Sequence, residues 1–297
     1  MDEAGNRTPD RMTAAWRHHE RKWKMNRYVY AVISRRSRGV SIGLNLNPNK
    51  ICNFDCIYCQ VNRKIPPAVQ KVNLEKLAGE LDLILQAEQD GSLYDDPPFN
   101  ALTPAERGVR DIAFSGDGEP TTFRRFEEAI QIAASARLRF GLHSAKLVLL
   151  TNAACLDKQS VRAALDVLDE NHGEIWAKLD AGTEEYFRIV NRAHMPLARI
   201  LENILGAARV RPLVIQSLWS RINGAAPPDE EIEAYCDRLN GLIAAGGKIK
   251  NIQIHTVARN PAEPCVSPLT NDELNRIVLI VTSRIPASAV ITFSAGS

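Results

Sequence analysis

Residues 40–59 read Val40-Ser-Ile-Gly-Leu-Asn-Leu-Asn-Pro-Asn-Lys-Ile-Cys52-Asn-Phe-Asp-Cys56-Ile-Tyr-Cys59, an apolar strand candidate running straight into a loop with three cysteines in eight residues. An apolar run that ends in a polar loop is the opening of a βα unit. The strand candidate Val40 to Asn45 is followed by five more, Val109 to Phe114, Lys146 to Leu150, Glu174 to Leu179, Leu213 to Ser217 and Ile249 to Thr256. Each passes into polar or Gly-containing residues, and a last short run, Ala289 to Phe293, closes the chain. The segments between them carry the spacing of one buried helical face. Leu74, Leu77, Ala78, Leu81 and Leu85 form one stripe, and Val161, Ala164, Leu165 and Leu168 a second. Leu197, Ile200, Leu201, Ile204 and Leu205 form a third, and Ile232, Tyr235, Cys236, Leu239 and Ile243 a fourth. Thr270 and Glu273 stand at capping-box spacing before Leu274, Ile277, Val278 and Val281. Six such units predict an α/β chain with a parallel sheet. Periodicity alone fits a partial barrel and a doubly wound sheet equally, and both put chemistry at the C-terminal strand ends. Gly91 to Arg107, with Pro97, Pro98 and Pro104, reads as a long surface loop or lid.

At 297 residues with 45% hydrophobic content the chain has material for one large core. Lys plus Arg (37) nearly balances Asp plus Glu (35), so net charge points to no polyanionic partner. The basic residues are unevenly spread. Arg7, Arg11, Arg17, Arg21, Lys22, Lys24, Arg27, Arg35, Arg36 and Arg38 crowd the start, interleaved with Trp16, Trp23, Tyr28 and Tyr30. That mixture suits phosphates and bases, and equally a solvated arm pinned by its aromatics. The expected division is a basic N-terminal extension over 1–38 and a catalytic core over 39–297. The first residues, MDEAGNRTPDRM, carry no apolar segment of a secretory signal, and runs such as Leu147 to Leu150 are far shorter than the roughly 20 residues of a membrane span. A cytoplasmic protein without a membrane segment is expected.

Six cysteines, half of them in one loop, do not form a secreted disulfide framework. The C-x3-C-x2-C spacing offers three thiolates and no adjacent fourth. A cubane cluster ordinarily takes four, so three imply an iron left open for another ligand. Zinc asks for a fourth ligand, and residues 45 to 70 contain no histidine. A non-catalytic iron-sulfur or zinc module is the alternative that uses the same thiols.

The segment Cys52 to Cys59, with Tyr58 before the last cysteine, resembles the signature of the radical S-adenosylmethionine (radical SAM) superfamily. A second segment, Ser115-Gly116-Asp117-Gly118-Glu119-Pro-Thr121, resembles that family's glycine-rich motif and equally fits an Asp-Gly turn into a helix. Tyr28 to Cys59, SGDGEPT, AKLDAGT, VNRAHMP and IQIHTVARNP together resemble the wyosine-synthase-like iron-sulfur oxidoreductases. The resemblance implies a partial (β/α)6 TIM-like barrel and a [4Fe-4S] cluster on Cys52, Cys56 and Cys59 whose open iron chelates S-adenosylmethionine. It further implies reductive cleavage to a 5′-deoxyadenosyl radical that takes hydrogen from a substrate. A flavodoxin- or ferredoxin-like electron donor is implied, and tRNA, or else a small molecule or peptide, as substrate. Wyosine-forming members carry a second cluster upstream of the signature, whereas here no cysteine precedes Cys52.

The resemblance implies cofactor or substrate contacts at Tyr58, Ser115, Gly116, Asp117, Gly118 and Glu119, and at the strand-end residues Thr151, Asn152, Lys178, Asp180, Gln216, Ser217 and His255. Each strand-end residue also fits a structural role: Asn152 as a helix cap, Asp180 in a turn, His255 as a core imidazole. Among the spare cysteines, Cys236 lies on an apolar stripe and Cys155 reads as a buried thiol. Cys265, between Asn260 and Pro268, is the spare thiol that could donate hydrogen or ligate metal.

Overall fold

The computed structural model describes residues 25–294 apart from 35, 38, 260, 262 and 287. The basic arm from Arg7 to Lys24 with Trp16 and Trp23, together with Arg35, Arg38 and Asn260, lies outside the described residues. The strands are β1 (Val29–Ser34), β2 (Gly39–Leu44), β3 (Val109–Phe114), β4 (Lys146–Thr151), β5 (Gly173–Lys178), β6 (Leu213–Trp219), β7 (Arg221–Ile222), β8 (Ile249–Thr256), β9 (Val266–Ser267) and β10 (Ala289–Phe293). The helices are α1 (Leu74–Gln89), α2 (Phe126–Arg139), α3 (Gln159–Glu170), α4 (Glu184–Asn191), α5 (Leu197–Val210), α6 (Asp229–Ala244) and α7 (Asn271–Arg284).

One sheet of eight strands has the order β1-β2-β3-β4-β5-β6-β8-β10. From β2 to β10 its strands are parallel, and it curls into a half-barrel. All six expected strands and the short seventh stand where the apolar runs predicted, within a residue or two. The sheet nonetheless begins at Val29, ahead of the expected core boundary at 39. Residues Val29 to Ser34 form an antiparallel hairpin with β2, Val29 opposite Leu44 and Ser34 opposite Gly39. A buried carboxylate fixes this edge: Glu80 of α1 accepts the backbone N–H groups of Tyr28 at 2.8 Å and Val29 at 3.2 Å.

The helices cover the outer face with the predicted stripes. Leu77, Leu81, Ile84, Leu165, Leu168, Ile204 and Leu239 are fully buried, each worth about 1.5–3 kcal/mol relative to exposure. Asn73 caps α1 by accepting from Lys76 N at 2.8 Å. The capping box of α7 is formed in both directions, Thr270 accepting from Glu273 N and Glu273 from Thr270 N. Trp219 and Tyr235, both buried, meet edge to face at 5.3 Å between β6 and α6.

Gly91 to Arg107 runs along the surface, as its prolines suggest, with most of its residues exposed, but four apolar side chains anchor it. Two short 3-10 turns, Ser92–Asp95 and Phe99–Ala101, insert Leu93, Tyr94, Phe99 and Leu102 into the core. The Tyr94 hydroxyl joins its two ends, accepting from Gly108 N at 2.8 Å and donating to Glu88 at 3.0 Å. Among the described residues no helix is long and apolar enough to cross a membrane.

Candidate active site

The cysteine loop leaves β2 at the C-terminal mouth of the half-barrel. Its apolar residues anchor it: Phe54 meets Phe187 of α4 edge to face at 5.8 Å, and Ile57 is buried with Val190, Val257 and Val266. Its backbone is tied to the end of the same helix, Asp55 N donating to Asn191 O at 3.2 Å and Ile57 N to Val190 O at 2.9 Å. These anchors leave Cys52, Cys56 and Cys59 half-buried on the loop. Asn191 Nδ2 lies 3.6 Å from Cys56 Sγ, and Arg63 Nη1 lies 3.3 Å from Cys59 Sγ. Burial, reinforced by the charge of Asp180, pushes the Cys56 thiol up to about 12, and burial raises Cys52 as well.

Beneath the loop, Asp180 is a buried hub. It accepts the Tyr58 hydroxyl, Asn191 Nδ2 at 3.0 Å and Leu218 N at 2.9 Å, and pairs with Lys178 at 3.2 Å. Lys178 Nζ also sits 5.0 Å from the Tyr58 ring centroid. Burial first, and the Asp180 charge second, push the Tyr58 phenol well above its ordinary value. Tyr58 is therefore a neutral donor locked in place.

The Ser115–Thr121 loop packs against the segment entering the cysteine loop as closely as only glycine permits. A Cβ on Gly116 would lie 2.3 Å from Asn45 Oδ1, and one on Gly118 2.2 Å from Ile51 O. Asn45 binds Asp117 twice, through its Nδ2 at 2.7 Å and its Oδ1 at 3.1 Å. Glu119 is buried and accepts from Thr121 N at 3.2 Å, the Thr121 hydroxyl, the Thr151 hydroxyl at 2.7 Å and Asn152 N at 2.8 Å. Burial raises its carboxyl, and these donors offset the rise. Asn152 Nδ2 then reaches Asn53 inside the cysteine loop at 2.7 Å. Glu119, Thr151 and Asn152 are thus a brace between β4, the glycine loop and the cysteine loop.

A cavity of about 360 Å³ opens inside the half-barrel. Of the residues singled out in the sequence, Tyr58, Cys59, Ser115, Gly116, Lys178 and His255 line it. Gln216 lies within the sheet interior, bonded to Gln253 at 3.1 Å. Ser217 faces the other way, its hydroxyl 2.6 Å from that of Tyr235, because neighbouring strand residues point to opposite faces. Cys155 and Cys236 are core thiols, and Cys265 packs beside the Ile57 group outside the cavity lining.

Asn191, Arg63 and Asp111 escaped the sequence reading, which placed Tyr30 and Arg36 only in the basic, aromatic stretch. Asn191 and Arg63 address the cysteine sulfurs, and Tyr30 lies across Gly43 to place its hydroxyl 3.0 Å from Ser115 Oγ. Arg36, over the Trp176 ring at 5.2 Å, lines the cavity with Asp111, which accepts the hydroxyls of Ser37 and Ser41.

Among the described residues no three His, Cys, Asp or Glu side chains converge on one metal ion. A cubane cluster asks for one thiolate per iron rather than convergence on a point. Three thiols from one anchored loop, two of them already facing N–H donors, fit that group.

Residues 46–217 match the family model described as the radical SAM superfamily. The chain belongs to the radical SAM superfamily. Members of that superfamily use a [4Fe-4S] cluster and S-adenosylmethionine. Among curated relatives, a UPF0026 protein of Methanocaldococcus jannaschii is 25% identical over 179 residues, 60% of this chain and 48% of that protein. The match thus spans about half the length of that relative. A UPF0026 protein of Helicobacter pylori is 26% identical over 83% of this chain and 71% of its own. Three solved radical SAM structures share the fold. Streptococcus suis SuiB bound to S-adenosylmethionine has a TM-score of 0.58 at 14% identity, over 87% of this chain and 52% of its own. A radical SAM methyltransferase from Sphaerobacter thermophilus has 0.62 at 11%, over 90% and 69%. TYW1 with a lysine-pyruvate adduct has 0.51 at 14%, over 92% and 81%.

Proposed function

We propose that this protein binds one [4Fe-4S] cluster on Cys52, Cys56 and Cys59 and uses S-adenosylmethionine to start a hydrogen abstraction. The observation that carries this reading is the meeting of the cysteine loop and the Ser115–Thr121 loop at the mouth of one cavity. Bound there, the cluster and cofactor supply an electron and a 5′-deoxyadenosyl radical, with methionine as co-product. The chain's own residues do the rest. Asp180, Tyr58 and Lys178 hold the last turn of the cysteine loop, and the Glu119 brace sets its distance from the glycine loop. Ser115, Gly116, Lys178 and His255 line the cavity and would meet the cofactor there.

The substrate we propose is a nucleotide unit of an RNA such as tRNA. Arg36, Lys178 and Arg259 share the cavity lining with Tyr30, Tyr58 and Trp176, a combination suited to phosphates and base faces. A flavodoxin- or ferredoxin-like protein is the proposed electron donor.

Anaerobic reconstitution with iron and sulfide, reduction by dithionite and chromatography for 5′-deoxyadenosine test the first claim. Wild type should form it and Cys56→Ala should not; a wild type that holds a cluster or zinc and forms none would leave a binding module. RNA affinity falling steeply with salt supports the second claim, and salt-independent or absent binding points to a small molecule or peptide.

A further inference from the structure

Two side-chain N–H groups at this site are aimed at sulfur. One is the amide of Asn191, 3.6 Å from Cys56 Sγ, and the other the guanidinium of Arg63, 3.3 Å from Cys59 Sγ. The orientation of the Asn191 amide is dictated by a second partner. Its Nδ2 also donates to Asp180 Oδ2 at 3.0 Å, and that oxygen accepts the Tyr58 hydroxyl as well. Turning the amide over would set its oxygen against a carboxylate, acceptor against acceptor.

The arrangement carries a cost. Asn191 is 2% exposed, and its Oδ1 is buried with no hydrogen-bond partner. A buried acceptor left unpaired is costly and calls for a compensating role. Asn191 is also the last residue of α4, and Arg192 after it turns into the left-handed region at φ 44°. Its backbone carbonyl holds Asp55 N while its side chain reaches the next cysteine, so one residue fixes both the loop and the surroundings of its sulfur.

Hydrogen bonds and positive charge beside cluster sulfurs favour the more electron-rich, reduced state and raise the reduction potential. Resting on the cluster assignment proposed above, we propose that Asn191 and Arg63 are positioning residues that set the reduction potential of the cluster through N–H···S bonds to Cys56 and Cys59. They differ in how they act. Asn191 is neutral and buried, so salt leaves its effect intact. The Arg63 side chain is 31% exposed and lies 3.8 Å from Asp55, so part of its effect is screened.

The test is a redox titration of reconstituted wild type, Asn191→Leu and Arg63→Met, followed by electron paramagnetic resonance of the reduced cluster, with iron counted in each sample. Both substitutions should lower the equilibrium constant for one-electron reduction by roughly three- to tenfold, a fall of about 30–60 mV at 59 mV per tenfold. Iron content should stay at the wild-type level, and added salt should shrink the Arg63 shift while leaving that of Asn191. Wild-type midpoints in variants that keep a full cluster would overturn the proposal. If Asn191→Leu fails to hold the cluster, Arg63→Met, altered on an exposed stretch of loop, decides by the same measure. A wild type that takes up no four-iron cluster sinks the cluster assignment itself, an outcome distinct from an unmoved midpoint.

Discussion

Glu119→Gln separates a brace from a ligand contact. In the native site Oε1 takes Thr121 N and the hydroxyls of Thr121 and Thr151, and Oε2 takes Asn152 N at 2.8 Å. Glutamine can keep the first oxygen in place, but its amide nitrogen then confronts the Asn152 N–H, donor against donor. A lost hydrogen bond to a charged group is worth about 1.5–3 kcal/mol, and a buried N–H left unpaired about 1–3 kcal/mol. Because these overlap, and because burial already raises the Glu119 carboxyl, the expected loss is about 2–4 kcal/mol. In a domain of this size each kcal/mol shifts Tm by about 2–4 °C, so Tm should fall by roughly 4–16 °C. Thermal unfolding before reconstitution, paired with calorimetric titration of S-adenosylmethionine into the reconstituted protein, measures both quantities. A variant with wild-type Tm and sharply weaker cofactor binding would refute the brace and make Glu119 a direct contact.

Two further substitutions probe other parts of the fold. Gly118→Ala puts a methyl group 2.2 Å from the backbone oxygen of Ile51; the loops must separate, so iron bound per chain and S-adenosylmethionine affinity should both drop while circular dichroism stays native. Glu273 is held down to about 2, chiefly by Arg221, with Thr270 N adding to the effect. Its carboxylate therefore contributes stability that is complete above the ordinary carboxylate range and lost as pH falls towards about 2. Glu273→Gln, which can still cap α7, should unfold at a lower temperature than wild type at pH 6 or so, with the gap closing on acidification. A gap that widens in acid would contradict this assignment.

The strands of the half-barrel were legible because each is a short apolar run ending in polar residues, and the helices because Leu, Ile and Val return with a helical period. The hairpin from Val29 to Ser34 was missed for a physical reason. VYAVIS alternates nothing, sits beside a basic run, and owes its place to long-range pairing with β2 and to Glu80. Proline density marked Gly91–Arg107 as a surface connection, but its anchoring by Leu93, Tyr94, Phe99 and Leu102 was passed over although those apolar residues stood in plain view. At the site, the cysteine spacing singled out the loop that the structure sets at the mouth of the cavity. Strand alternation could have shown that Gln216 and Ser217 do not share a face. Asn191 carried no such mark: it stands within VNRAHMP, and only the helix end at Arg192 turns it towards Cys56.

The backbone ties from Asp55 and Ile57 to the end of α4, with the Asn152–Asn53 bond on the opposite side, are made entirely by protein atoms. The loop is therefore braced by the protein itself. In a zinc finger the metal and the fold arrive together, and a chelator unfolds the chain. Here the protein ties are separate from the thiols, so a cluster bound as proposed would add its binding free energy to theirs. A chelator should then strip the reconstituted cluster without unfolding the chain, which circular dichroism checks.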